Sequence, residues 1–145
     1  MVLLLVLTTS FFSCNDEQKP IEVSFEELLL EETSCFWIRI ADDRCNISEV
    51  IVINSNEELI SHITCSSHFE IDFSQYTLLL ARGVRCYQDR LIYVSLQQTS
   101  AQSYIMTVDF VMSLAAALKE WQVAILVDKL PKGSNVKLKG GNVIF

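Results

Sequence analysis

Both histidines of the chain fall in one stretch, HITCSSHFEIDF, residues 62 to 73, with Cys65 midway between them. His62, Cys65 and His68 stand three apart, and Glu70 and Asp72 lie just beyond. Imidazole, thiolate and carboxylate are the ligands that zinc takes, and a thiol beside an imidazole is the core of a Cys–His nucleophile. Either chemistry needs its groups to converge. On a helix, His62 and Cys65 would be neighbours at a separation of three, but His68 falls past the helix end. Zinc ligands usually come as two local pairs, and here there is a single thiol. A nucleophile would need a free, activated thiolate. The expectation carried forward is therefore no metal, no cofactor and no catalytic residue. Cys65 is read instead as half of a disulfide.

That reading depends on compartment, and the first residues speak to it. MVLLLVLTTSFF carries no charge, and Ser13-Cys14 and polar residues follow. About a dozen apolar residues are too few to cross a bilayer as a helix but suit the core of a signal peptide. The small residue before Cys14 resembles a lipobox, after which the cysteine is diacylated and the leader removed. A buried N-terminal strand or an ordinary secretory signal is the competing reading. Residues 1–13 are expected to be a lipoprotein signal peptide, and Cys14 the lipidated residue.

From Asp16 to Glu32 seven acids face Lys19 alone, so much of the net charge of −7 sits early in the chain. Residues 14–34 read as an acidic tether. CNDEQK, from Cys14, also resembles the acidic surface-export signals that follow the lipidated cysteine in Bacteroidota. Such a balance lacks the electrostatic footprint of a nucleic-acid binder. It offers no basic patch to anionic lipid, so any hold on the membrane would come from acyl chains on Cys14.

Once Cys14 is set aside, four cysteines remain, at 35, 45, 65 and 86. An even count in an exported chain argues for disulfides, and four cysteines allow three connectivities. Cys35 and Cys65 flank one strand–helix unit. A bond between them would close a loop of about 30 residues and contribute roughly 3–4 kcal/mol. This leaves Cys45 for Cys86, unless those two stay free.

The elements that would position these residues follow from the apolar periodicity. Residues 49–54 are β-branched and apolar, a strand. Ser55-Asn56-Glu57-Glu58 is a capping box for a short helix with Leu59, Ile60 and Ile63 on its apolar face, ending near Thr64. YTLLLARG (76–83) is a continuous apolar run, which suits a strand covered on both faces. Ile92, Val94 and Leu96 then alternate with polar neighbours, as do Tyr104, Met106, Val108 and Phe110, and again Trp121, Val123, Ile125 and Val127. SLAAALKE (113–120) is helix-forming in composition but short for a helix. Pro131 and Gly133 mark a turn, and NVKLKGGNVIF supplies one or two closing strands. IEVSFEELLLEE is either a first strand or a short amphipathic turn. The expected fold is α+β and mainly β, an antiparallel sheet or sandwich with one short early helix, in a single domain over residues 35–145.

With these pieces placed, VIVINSNEELISHITC, EIDFSQYTLLLARG and WQVAILVDKLPKGSNVKL resemble a group of small Bacteroidota lipoproteins of unknown function. The resemblance spans roughly residues 35–138, and EIDFSQYTLLLARG is its most specific part. A fainter similarity links IDFSQYTLLL and WQVAILVDKLP to the C-terminal domain of PrcB, a spirochaete lipoprotein that regulates a surface protease complex. The glycine-rich loop after that domain's central strand is reduced here to ARGVRCYQDR. Neither resemblance carries catalytic residues. Asp72 would cap the turn into the strand, and Phe73 would pack beneath it.

No G-x-S-x-G, H-E-x-x-H, Walker or dinucleotide motif occurs. Tyr87, near Arg85 and Arg90, is suited to stack on a sugar or to grip a partner. The expectation is a lipid-anchored protein of the cell envelope, at the outer membrane, facing the periplasm or the cell surface. It would be a non-enzymatic protein-interaction module, with a glycan-binding accessory lipoprotein as the alternative.

Overall fold

Residues 103–111 and 121–127 each offer one apolar face, and each needs another sheet to cover it. The computed structural model describes residues 19–28, 35–37, 47–65, 70–87 and 90–143. In chain order they form β1 (Ile21–Glu22), β2 (Glu26–Glu27), β3 (Cys35–Trp37), β4 (Ile47–Ile53), α1 (Asn56–His62) and β5 (Ile63–Cys65). Then come β6 (Tyr76–Tyr87), β7 (Arg90–Ser100), β8 (Ser103–Val111), β9 (Ala116–Asp128) and β10 (Asn135–Val143). The described residues are mainly β with one short helix, in agreement with the expected class.

Two four-stranded sheets, ordered β1-β7-β8-β10 and β2-β9-β6-β4, account for most of this, and β3 and β5 form a separate pair. The main core lies between the two sheets. From β8 it takes Tyr104, Met106, Val108 and Phe110, and from β9 it takes Val123, Ile125 and Val127. Both sets are those the alternation selected. Leu79 and Ala81 of β6 face the same core.

Their neighbours Leu78 and Leu80 face the other way. They join Ile53, Leu59, Ile63, Ile71 and Ala124 in a second apolar layer beneath α1. The sheet holding β6 is thus covered on both faces, which is why residues 78–81 show no alternation. In the other sheet β8 alternates strictly between buried and half-buried residues, its buried set facing the main core.

Several features depart from the sequence reading. The sheets begin before Cys35. Ile21 and Glu22 pair with Gln98 and Gln97, and Glu26 and Glu27 pair with Leu126 and Ile125. Between these strands Val23 and Phe25 pack against the main core. Part of the segment read as tether is therefore strand that passes from one sheet to the other, and its acids lie on exposed positions.

Ala116 to Glu120, read as helix-forming, extend β9, because pairing with β6 from Tyr87 onward supplies the hydrogen bonds an isolated short helix would lack. Ile60 lies on the exposed side of α1 at 72% exposure, and the helix ends at His62 rather than near Thr64. A register shift between Leu91 and Tyr93 brings Leu91 to the core side along with Val94.

β10 pairs with β8 in parallel, not antiparallel. The reason is topological. β9 carries the chain back through the opposite sheet, so β10 returns beside β8 in β8's own direction. The β9–β10 turn has Ser134 N–H donating to Pro131 O at 3.1 Å, with Gly133 at a φ of 81°. A side chain is disfavoured there, so glycine is the suited residue.

Candidate functional site

Around the histidine stretch, local bonding builds structure. Ser55 Oγ accepts from Glu58 N–H at 3.2 Å, as the capping box requires. The returning Glu58 carboxylate accepts from Asn54 N–H at 2.6 Å, one residue earlier than the standard box. The Glu57 backbone N–H and the Ser55 hydroxyl hold the Glu57 carboxyl below its ordinary range. His62 is the last helical residue, and Ile63 N–H caps the helix by donating to Leu59 O. Ile63, Thr64 and Cys65 then run as β5 against β3, in register Trp37↔Ile63, Phe36↔Thr64 and Cys35↔Cys65.

His62 and Cys65 therefore do not share a helix face. His68, Cys14 and Cys45 lie outside the described residues. No group of three or more His, Cys, Asp and Glu among the described residues could hold a metal ion. Cys86, at the end of β6, is disulfide-bonded.

Asp72 and Phe73 have the structural places expected of them. Asp72 Oδ1 accepts from Ser74 N–H at 3.0 Å and from the Ser74 hydroxyl, and its Oδ2 accepts from Gln75 Nε2 at 3.0 Å. The Ser74 hydroxyl and backbone N–H hold the Asp72 carboxyl below its ordinary range. Phe73 packs against the second apolar layer, and its carbonyl accepts from Lys129 Nζ at 2.7 Å. Thr77 is a fully buried polar residue. Its Oγ1 donates to Asn54 Oδ1 at 2.8 Å and accepts from Leu130 N–H at 3.1 Å. These groups fasten β4, β6 and the end of β9 together, and their polar atoms are engaged in doing so.

No family model, curated protein or solved structure matches the chain.

The two ends of the sandwich differ in chemistry. At one end the β7–β8 and β9–β10 turns are tied by Asn135 N–H donating to Gln102 O at 2.8 Å and Gln102 Nε2 donating to Lys132 O at 3.1 Å. β1 joins its sheet near this end, at Gln97 and Gln98. At the other end lie the β6–β7 and β8–β9 connections, where Arg90 pairs with Val111 and Tyr87 pairs with Ala116.

Tyr87 at 44%, Met112 at 43%, Leu114 at 97% and Leu118 at 58% are exposed at this second end, and Ile21 and Tyr76 are exposed at the first. Tyr93 is exposed nearby, opposite Asp109. Just inside, Arg85 lies over the Phe110 ring at 4.4 Å, and Phe110 meets Trp121 edge-on at 5.1 Å. A rigid aromatic base thus underlies an apolar tip. Of these residues the sequence singled out Tyr87, Arg85 and Arg90. Met112, Leu114 and Leu118 escaped notice because they sit in or beside SLAAALKE, where no periodicity distinguishes an exposed apolar residue from a buried one.

Proposed function

We propose that the protein is a non-enzymatic, lipid-anchored component of the cell envelope whose β-sandwich binds another protein outside the membrane. The anchor is diacylated Cys14 at the outer membrane, and the domain faces the periplasm or the cell surface. One observation carries this reading. The chain enters the sandwich through β1 near the end formed by the β7–β8 and β9–β10 turns, while Tyr87, Met112, Leu114 and Leu118 are exposed at the opposite end. A domain held by its entry end presents the other.

A glycan-binding accessory lipoprotein is the second reading, favoured by the exposure of Tyr87 and Tyr93 on either side of Arg90. Aromatic rings beside a guanidinium suit stacking on a sugar and hydrogen bonding to it.

Metabolic palmitate labelling tests the anchor. The wild-type protein takes up label, and Cys14→Ala does not and is released or left unprocessed. Label that survives Cys14→Ala refutes the proposal. Oligosaccharide binding that is lost on Tyr87→Ala/Tyr93→Ala, with no protein adduct at that end, would favour the second reading.

A further inference from the structure

We infer that the outer face of the β1-β7-β8-β10 sheet binds a carboxylate-bearing oligosaccharide, with one sugar ring on Tyr93 and the carboxylate of another sugar at Lys137 and Lys139. The inference rests on the glycan-binding reading and places its site on this face rather than beside Tyr87. It depends neither on the protein contact nor on the lipidation of Cys14.

Val94 and Leu96 of β7, Met106 and Val108 of β8, and Val136 and Leu138 of β10 face the main core. The residues between them face outward, and the register sets them in rows across the sheet. Ser95, Thr107 and Lys139 form one row, and Tyr93, Asp109 and Gly141 form the next. Strands about 4.8 Å apart make each row roughly 10 Å wide, and rows two residues apart are separated by about 7 Å. That is the footprint of a short oligosaccharide.

The polar groups of these rows are unengaged. Ser95 points away from the core yet is only 6% exposed. No hydrogen bond or ion pair among the described residues engages its hydroxyl, the Thr107 hydroxyl, the Asp109 carboxylate or the ammonium groups of Lys137 and Lys139. Thr77, equally buried, has both of its bonds made. A buried hydroxyl left without a partner is unfavourable, and a ligand hydroxyl aimed at it removes the penalty.

A saccharide fits these groups. Tyr93 is 53% exposed and offers a ring face to the C–H side of a sugar, while the hydroxyls and the carboxylate suit its O–H groups. Apart from Tyr93 the two rows offer no apolar side chain, so a dry protein contact has little to bury there. A net charge of −7 disfavours nucleic acid. Lys139 and, one row on, Lys137 are exposed on β10, and charge-assisted bonds from them select a carboxylate. Tyr93 and Lys139 stand two strands and one row apart, roughly 12 Å, so the stacked ring and the carboxylate belong to different sugars of one chain.

Calorimetric titration of the full chain with uronate tetramers (galacturonate, mannuronate and guluronate) and with neutral tetramers of glucose and N-acetylglucosamine tests this. At least one uronate tetramer is expected to bind saturably and roughly tenfold tighter than the neutral ones, with the preference shrinking as salt is raised. Lys139→Gln should remove that preference. Tyr93→Ala and Ser95→Ala should each weaken binding about tenfold with the melting temperature unchanged, and Lys132→Gln, which removes a like charge elsewhere, should leave binding as it was. Binding lost on Tyr87→Ala but kept in Tyr93→Ala, Ser95→Ala and Lys139→Gln would overturn this face and leave the glycan reading standing. A loss on Lys132→Gln matching that on Lys139→Gln, or equal binding of neutral and acidic tetramers, would overturn the inference. No saturable binding of any tetramer would overturn it together with the glycan reading.

Discussion

Cys35 stands directly opposite Cys65 in the β3–β5 ladder. Facing residues of an antiparallel pair have Cα atoms about 4.5–5.5 Å apart, inside the range of roughly 4.4–6.8 Å that a disulfide bridges. The ladder also continues directly from α1, so a bond there would close the strand–helix unit that covers Leu78 and Leu80. Non-reducing peptide mapping is expected to recover the Cys35–Cys65 peptide pair. Replacing both residues with Ala should lower stability by about 3 kcal/mol. A free Cys65 thiol would reopen the nucleophile and metal readings of HITCSSH.

The same map should recover Cys86 with Cys45. Ile47 pairs with Val84, and the two cysteines lie two residues further out, one before Ile47 and one after Val84. Recovery of Cys86 with Cys35 or Cys65 would contradict this connectivity.

Thr77→Val should destabilise the protein by about 1–3 kcal/mol, because it leaves the Leu130 N–H and Asn54 Oδ1 without their partner in a buried place. Thr77→Ser keeps the hydroxyl and should lose much less. Denaturant unfolding of the two variants side by side checks the prediction. A small loss for Thr77→Val beside a larger one for Thr77→Ser would mean that the methyl group, not the hydroxyl, is what matters.

Asp72 supplies a pH-dependent contribution whose sign can be worked out. Hydrogen bonds from Ser74 lower its carboxyl in the folded protein. The folded state therefore gains from the ionised form. That gain is complete above the ordinary carboxylate value of about 4, and it is lost as pH falls through the lowered one. Asp72→Asn should lower the melting temperature at neutral pH and flatten its decline below about pH 4. An unchanged acid limb would show that the Asp72 turn does not contribute to stability.

These predictions bear on how far the chain could be read without its structure. The strand faces were legible wherever apolar residues alternate, as in β8, or run unbroken, as in β6, because burial acts directly on those patterns. The Ser55–Glu58 cap and the Asp72 turn were legible because a few polar atoms bond within their own neighbourhood. What depends on distant pairing was not. β1 and β2 are too short to show a period, the parallel β8–β10 pair is a consequence of where β9 passes, and Ala116–Glu120 become strand only through β6. The tip was hidden for the same reason, since exposure of Leu114 and Leu118 is a property of the assembled sandwich.

His62→Ala/His68→Ala removes both imidazoles at once. Surface histidines should shift stability by no more than about 0.5 kcal/mol each, whereas loss of a structural zinc would remove on the order of 10 kcal/mol. Thermal melts with and without chelator should superimpose for the wild type, and the double variant should lie close to them. A wild type that melts early in chelator, like the double variant, would establish a metal site.

The central claim is that the domain hangs from the membrane by the β1 end with its apolar tip outward. The most direct measurement is fluorescence quenching by brominated lipid, with a fluorescent amino acid at Lys132 in one sample and at Leu114 in another, in lipidated protein reconstituted in vesicles. Measurable quenching is expected at position 132 and little or none at 114. Quenching at 114 equal to or stronger than at 132 would contradict it.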